Sequence, residues 1–240
     1  GVLTFASAPD YETKSSYSAT VTASDGTNAV TQSITVNVNH LNEAPIFSSA
    51  PSFSADENQT SIGTVTATDP EGDTLTFSVS GSDLSITSDG VLTFKSAPDY
   101  ETKSSYTATV TVSDGSTSAS QIITVTVLDV NEAPIFTSNA AFSADENQTG
   151  IGTVTATDPE GDALTFSVSG SDLSITSGGV LTFASAPDYE TKSSYSATLT
   201  VTDGSFTVTQ AVAITVLDVN EAPIFTSSAG FSADENQTGI

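Results

Sequence analysis

The chain has 240 residues with 29 Asp and Glu against four basic residues, Lys14, Lys95, Lys103 and Lys192, and a formal net charge of -25. No basic patch exists to neutralise phosphates, so nucleic acid is an implausible partner and an anionic membrane surface is disfavoured. No stretch approaches the roughly 18–20 apolar residues of a spanning helix, there is no Cys for a disulfide, thiolate metal site or thiol nucleophile, and the single His supports no catalytic triad. No membrane insertion by this segment and no enzymatic activity are expected.

Self-similarity decides the organisation. Asp-Glu-Asn-Gln-Thr begins at Asp56, Asp145 and Asp234, a spacing of 89 residues. Gly-Val-Leu-Thr-Phe keeps the same period at Gly1, Gly90 and Gly179, Pro-Asp-Tyr-Glu at Pro9, Pro98 and Pro187, and Asn-Glu-Ala-Pro-Ile-Phe at Asn42, Asn131 and Asn220. With Ala-Pro as punctuation, the expected partition is a C-terminal half repeat at 1–44, complete repeats at 45–133 and 134–222, and an N-terminal stub at 223–240. The chain opens on Gly1 in mid-repeat and reads as an excised piece, so the lack of a signal peptide says nothing about export.

Taken in chain order, repeat 45–133 starts with a leader around Phe47 to Phe53. Period-two runs follow: Val65 and Ala67; Leu75, Phe77 and Val79; Leu84 and Ile86; Leu92 and Phe94; Tyr106, Ala108, Val110 and Val112; Ile123, Val125 and Val127. Thr and Ser fill the alternate positions, as half-buried strands require. Turn signals separate the runs at Pro70-Glu71-Gly72-Asp73, Ser88-Asp89-Gly90 and Asp114-Gly115. About seven short strands in some ninety residues, with no helical periodicity, predict an all-β fold of tandem seven-stranded Greek-key sandwiches. A core this small without disulfides is only marginally stable, and metal bound between domains would supplement it.

Acidic residues gather at strand ends and turns: Asp56-Glu57-Asn58, Asp69-Pro70-Glu71-Gly72-Asp73, Asp99-Tyr100-Glu101, Asp114, and Asp129-Val130-Asn131-Glu132. A hard cation such as calcium takes about six to eight oxygen ligands, which only loops rich in Asp, Glu and Asn supply. So many carboxylates would repel one another without a cation. An acidic solvated surface is the plainer alternative, and recurrence of the clusters in every copy argues against it.

These clusters, in this order, resemble the motifs of the cadherin repeat. Asp56-Glu57-Asn58 looks like the family's P-E-N motif, and Asp99-Tyr100-Glu101 like its L-D-R-E motif. Asp69-Pro70-Glu71-Gly72 is similar to D-x-D-x-G, Asp114 to the lone aspartate of the penultimate strand, and Asp129-Val130-Asn131-Glu132-Ala133-Pro134 to the D-x-N-D-N-A-P linker. The resemblance implies an elongated array with Ca2+ between successive domains, held by the base of one, the linker and the top of the next. The fully represented junction would use Glu57, Asp99 and Glu101, then Asp129, Asn131 and Glu132, then Asp158, Glu160 and Asp203. The preceding one would use Asp10, Glu12, Asn42, Glu43, Asp69, Glu71 and Asp114. The last would begin with Glu146, Asp188, Glu190, Asp218, Asn220 and Glu221.

Departures from the pattern bear on the ion count. Glu71 and Glu160 stand for the second Asp of D-x-D, Glu132 for the linker's second Asp, and Ala133 for its final Asn, while Asp73 and Asp162 are weaker candidates for a missing oxygen. His40 occupies the position of Asp129 and Asp218; it is expected to be a solvated linker residue and to weaken calcium binding at that linker. The Asn-Gln-Thr sequons at Asn58, Asn147 and Asn236 are expected to be by-products of the metal motif, and Tyr11, Tyr100 and Tyr189 to pack against the sandwich base.

The resemblance implies a calcium-stiffened spacer in an extracellular or cell-surface adhesin, its parent secreted or membrane-anchored. The expected partners are neighbouring repeats of the same chain, with like repeats on another cell or a surface glycan as further ones. The alternatives are a directly adhesive or polysaccharide-binding module and a calcium-independent acidic immunoglobulin-like stalk.

Overall fold

Alternation of apolar residues with Thr and Ser places one side of each strand in a core and the other in solvent. A computed structural model of the chain describes residues 1–227 and 229–239, in two units, Gly1–Val130 and Asn131–Ile240. All the regular structure among the described residues is β.

The first unit contains β1 (Ser16–Ser24), β2 (Ala29–Asn37), β3 (Ile46–Phe47), β4 (Ser52–Asp56), β5 (Ser61–Thr64), β6 (Ala67–Thr68), β7 (Thr76–Val79), β8 (Leu84–Ile86), β9 (Val91–Phe94), β10 (Ser105–Ser113) and β11 (Ser118–Leu128). One sheet runs β4-β11-β10-β7; β5-β9-β8, β3-β6 and the antiparallel pair β1-β2 form the others. Strand β11 pairs antiparallel with β10 and parallel with β4, so Val125 lies beside both Tyr106 and Phe53.

Nine segments stand where seven runs were expected. The leader breaks into β3 and β4 around Ser48–Pro51, where Pro51 has no N–H to give a ladder. Val65 falls between β5 and β6, Ala67 opens β6, and β5 pairs with β9 through a register shift between Ser61 and Gly63 of the kind a bulge produces.

Val65, Leu84, Leu92, Phe94, Val110, Ile123, Val125 and Val127 form the core of the first unit. Leu92 is fully buried while its neighbour Val91 is 44% exposed. Leu92→Ala should therefore cost about 2–4 kcal/mol and Val91→Ala no more than about 0.5 kcal/mol, a contrast that urea denaturation measures. The burial comes from partner strands and is not intrinsic to the segment. Leu3 and Val21, which lie 89 residues before Leu92 and Val110, are 62% and 45% exposed.

The second unit repeats the arrangement with β12 (Ile135–Phe136), β13 (Ala141–Asp145), β14 (Gly150–Thr153), β15 (Ala156–Thr157), β16 (Thr165–Val168), β17 (Leu173–Ile175), β18 (Val180–Phe183), β19 (Ser194–Thr202) and β20 (Thr207–Leu217). Its sheets are β13-β20-β19-β16, β14-β18-β17 and β12-β15. Leu181, Leu199, Ile214 and Val154 fill its core.

Few cations are left over for the acidic loops. Lys103 pairs with Asp83 at 2.7 Å and lies over the Tyr106 ring, and Lys192 does the same with Asp172 and Tyr195. Lys14 sits over Tyr17.

Candidate metal centre

At one end of the first unit, β4 and β11 finish side by side, and Glu57 follows β4 directly with its N–H bonded to the Leu128 carbonyl at 3.1 Å. The Glu57 side chain is only 3% exposed. Its Oε1 accepts the Val130 N–H at 2.8 Å and its Oε2 the Tyr100 N–H at 2.7 Å. One carboxylate thus ties the strand end, the Asp99–Glu101 turn and the outgoing linker together, and carboxylate oxygens of Glu57, Glu101 and Asp129 all lie within 4.8 Å of one another. In the second unit Glu146 is 2% exposed, accepts the Val219 and Tyr189 N–H groups at 2.8 Å, and meets Glu190 and Asp218 in the same way.

Asn58 and Asn147, which follow these glutamates, have φ of 60°, in the left-handed region that Asn tolerates better than most residues. Each donates its N–H across the turn, to Pro98 O at 3.0 Å and Pro187 O at 2.9 Å. The left-handed turn accounts for the Asn of each sequon.

The opposite end gathers the second group. Asp69 Oδ1 accepts the N–H groups of Glu71 at 3.0 Å and Asp73 at 3.1 Å, closing the turn after β6. The incoming linker docks beside it: Glu43 N–H donates to Glu71 Oε1 at 3.3 Å, and Asn42 Nδ2 donates to Asp114 Oδ2 at 2.9 Å. In the second unit Glu132 N–H donates to Glu160 Oε2 at 3.2 Å and Asn131 Nδ2 to Asp203 Oδ2 at 3.0 Å.

The two kinds of acid titrate in opposite directions. The hydroxyl of Thr117, the Asn42 amide, and the N–H groups of Thr117 and Ser116 hold Asp114 well below the usual carboxylate range. Desolvation pushes Asp203 up, but donors from Asn131, Phe206 and Ser205 outweigh it and leave its pKa lowered. Burial raises Glu71 and Glu160, with Asp69 and Glu12 adding repulsion at the first and Asp158 and Glu132 at the second. Glu190 gains a lowering hydrogen bond from its own backbone, yet desolvation and the charges of Glu146, Glu221 and Asp218 leave it raised.

A raised folded pKa means that protons are taken up on folding, so stability falls as pH rises through it. For the metal-free chain, stability should therefore increase as pH drops from 7 toward the ordinary Glu value of 4.5. It should decline again below 3.8, where the unfolded chain takes up protons that Asp114 and Asp203, held ionised in the fold, do not. Thermal melts in EGTA across this range check the sign.

The residues fit a hard cation. Asp69 Oδ2, Glu71 Oε2, Asp158 Oδ2 and Glu160 Oε1 are buried and have no hydrogen-bond donor. An orphaned buried carboxylate oxygen is costly, and calcium draws its ligands from such oxygens.

The expected ligands divide by role. Glu57, Glu101 and Asp129 converge, as do Glu146, Glu190 and Asp218, and as do Glu12 and Glu71. Asp10, Asp99 and Asp188 each cap their own turn through N–H bonds from Thr13, Thr102 and Thr191. Asn42, Asn131, Asp114 and Asp203 clamp linker to loop, Glu43 and Glu132 dock through their backbone, and Glu221 Oε1 accepts Asn147 Nδ2 at 2.6 Å while Asn220 donates to the Glu221 carbonyl. His40 is exposed, as expected of a solvated linker residue, and its Nε2 also lies 3.4 Å from Glu12 Oε1 and 3.7 Å from Glu71 Oε1. Its alignment with Asp129 and Asp218 was the signal for that placement. Tyr11, Tyr100 and Tyr189 remain 39%, 36% and 38% exposed, so they cover the base only in part.

Residues 42–126 and 131–215 each match the Bacterial Ig domain family. The chain belongs to that family. Its Ig-type sandwiches are cadherin-like in structure: protocadherin gamma B2 extracellular cadherin domains 1–5 align over 88% of this chain and 48% of that one, with a TM-score of 0.59 and 26% identity. Among curated proteins, Protocadherin Fat 4 of Mus musculus is 32% identical over 94% of the chain, and Chitinase A of Pseudoalteromonas piscicida is 31% identical over 56%. The chain spans only 5% and 17% of those two proteins. No helix among the described residues is long and apolar enough to cross a membrane.

Proposed function

We propose that this segment of bacterial Ig, cadherin-like repeats is a calcium-binding spacer of an extracellular or cell-surface adhesin, without catalytic activity of its own. In this reading the repeats run 45–133 and 134–222, flanked by the half repeat 1–44 and the stub 223–240. Calcium binds the carboxylates at each repeat's two ends through the ligands named from the sequence. The observation that carries the proposal is the set of buried, donorless oxygens on Asp69, Glu71, Asp158 and Glu160, each beside a docked linker. A negative loop without its cation repels the linker's own carboxylates; a shared divalent ion reverses the sign of that interaction. Calcium then converts a flexible succession of domains into a stiff one, and function follows from length and stiffness.

Extracellular calcium modules bind at about 10⁻⁴–10⁻³ M, and each site held at a hundred times its Kd adds about 2.7 kcal/mol. Small-angle scattering with 2 to 5 mM calcium, about the upper end of that range and above, should show a longer maximum dimension than scattering in EGTA, accompanied by a higher Tm. Identical scattering profiles and melts in the two buffers would sink the reading.

A further inference from the structure

The first linker carries a ligand that the other two lack. His40 stands where Asp129 and Asp218 stand, and it is the only His in the chain. Its Nε2 faces Glu12 Oε1 at 3.4 Å and Glu71 Oε1 at 3.7 Å, and the three residues offer ligand atoms all within 4.8 Å of one another. Zinc bonds of about 2.0–2.2 Å to N and O place the ligand atoms of a tetrahedral centre about 3.3–3.6 Å apart. The two separations from His40 Nε2, 3.4 and 3.7 Å, fall within and just above that range, and the third lies within 4.8 Å, before any metal draws the ligands in.

Two further features point to a ligand. The Glu71 side chain is only 6% exposed, yet its Oε2 has no donor, while the Glu43 N–H holds its Oε1 in place. The Tyr11 ring meets His40 edge-on, with centroids 5.1 Å apart, restricting the imidazole to the side facing the carboxylates. His40 itself is 47% exposed, so a metal and its remaining water ligand have a route in.

From this geometry we infer that Glu12, His40 and Glu71 form a site for a borderline transition-metal ion such as Zn2+, distinct in metal class from the all-oxygen sites. Replacing a linker carboxylate by imidazole removes a hard, charged oxygen and supplies the nitrogen donor that zinc, copper and nickel prefer. Three protein ligands and one open position form the common pattern of an accessible zinc site. The site shares Glu12 and Glu71 with the calcium reading, and the other two clusters contain no side-chain imidazole, so zinc is titrated without calcium and the His40 signals tell the two apart.

Zinc titration of the whole 240-residue chain in calcium-free buffer tests it, read by calorimetry and by the imidazole NMR resonances, which have a single source. The expected result is one tight Zn2+ per chain, displacement of the His40 ring signals at that stoichiometry, and a loss of at least ~10-fold in affinity in His40→Ala. His40→Asp should lose zinc to a similar degree and gain calcium capacity. Zinc binding unchanged in His40→Ala, or imidazole signals that do not move as zinc is added to the wild-type chain, would show an ordinary His–carboxylate ion pair and overturn the assignment. Failure of calcium to bind anywhere would leave this zinc result standing.

Discussion

Glu57→Ala should destabilise the first unit by about 3–5 kcal/mol in calcium, since it removes two hydrogen bonds to a buried charged acceptor, each of about 1.5–3 kcal/mol. The N–H groups of Val130 and Tyr100, now held at 2.8 and 2.7 Å, would be left at a buried position without an acceptor. The same deletion removes one of three carboxylates that crowd within 4.8 Å, and this relief partly offsets the loss when no cation is bound. The cost should accordingly be smaller in EGTA than in calcium. Glu57→Gln should fall between, because its amide can accept one N–H but presents a donor to the other. Chemical denaturation of the three proteins in both buffers checks the order; equal stability of wild type and Glu57→Ala would show that the buried glutamate is not the tie described.

Gly90→Ala should cost a similar amount, about 3–5 kcal/mol, more than the ~1–3 kcal/mol of backbone strain alone. Gly90 has φ of +88°, and a Cβ there would lie 2.2 Å from the Val65 carbonyl oxygen. The backbone cannot retreat cheaply, since Val65 N–H donates to Gly90 O at 2.9 Å and Val65 is a core residue 1% exposed. Gly115 is the control: its φ is +97° but nothing lies within 4 Å of its Cβ position, so Gly115→Ala should cost only the strain, about 1 kcal/mol. Gly179 repeats the Gly90 geometry against Val154 O at 2.2 Å. Equal costs at Gly90 and Gly115 would mean that the close approach is not real.

The core was legible because its signal is local. Val110 and Val112 are fully buried, as are Ile123 and Val125 on the partner strand, and their alternation appears in any short window of the chain. Interruptions at Ser48–Pro51 and near Gly63 escaped because they depend on which partner strand supplies hydrogen bonds, a property of distant residues. The same limit applies to the acids. Spacing alone separates Glu57 from Asp114 by sequence position and not by duty, yet one is buried with two backbone donors while the other is saturated by Thr117, Ser116 and Asn42. Composition could not show that Lys103 and Lys192 are occupied with Asp83 and Asp172. His40 was visible only as a substitution in an aligned column, and its neighbours Glu12 and Glu71 come from positions 28 residues before and 31 after it.

Buried, donorless carboxylate oxygens stand at the repeat ends, and their proposed occupants are divalent cations. Calorimetric titration of the chain with calcium at neutral pH and moderate salt measures this directly. The account predicts saturable binding with Kd of about 10⁻⁴–10⁻³ M, weakened in Glu57→Ala and in Glu71→Ala. A folded chain that takes up no calcium at concentrations up to ~10 mM, ten times the upper end of that range, would contradict it.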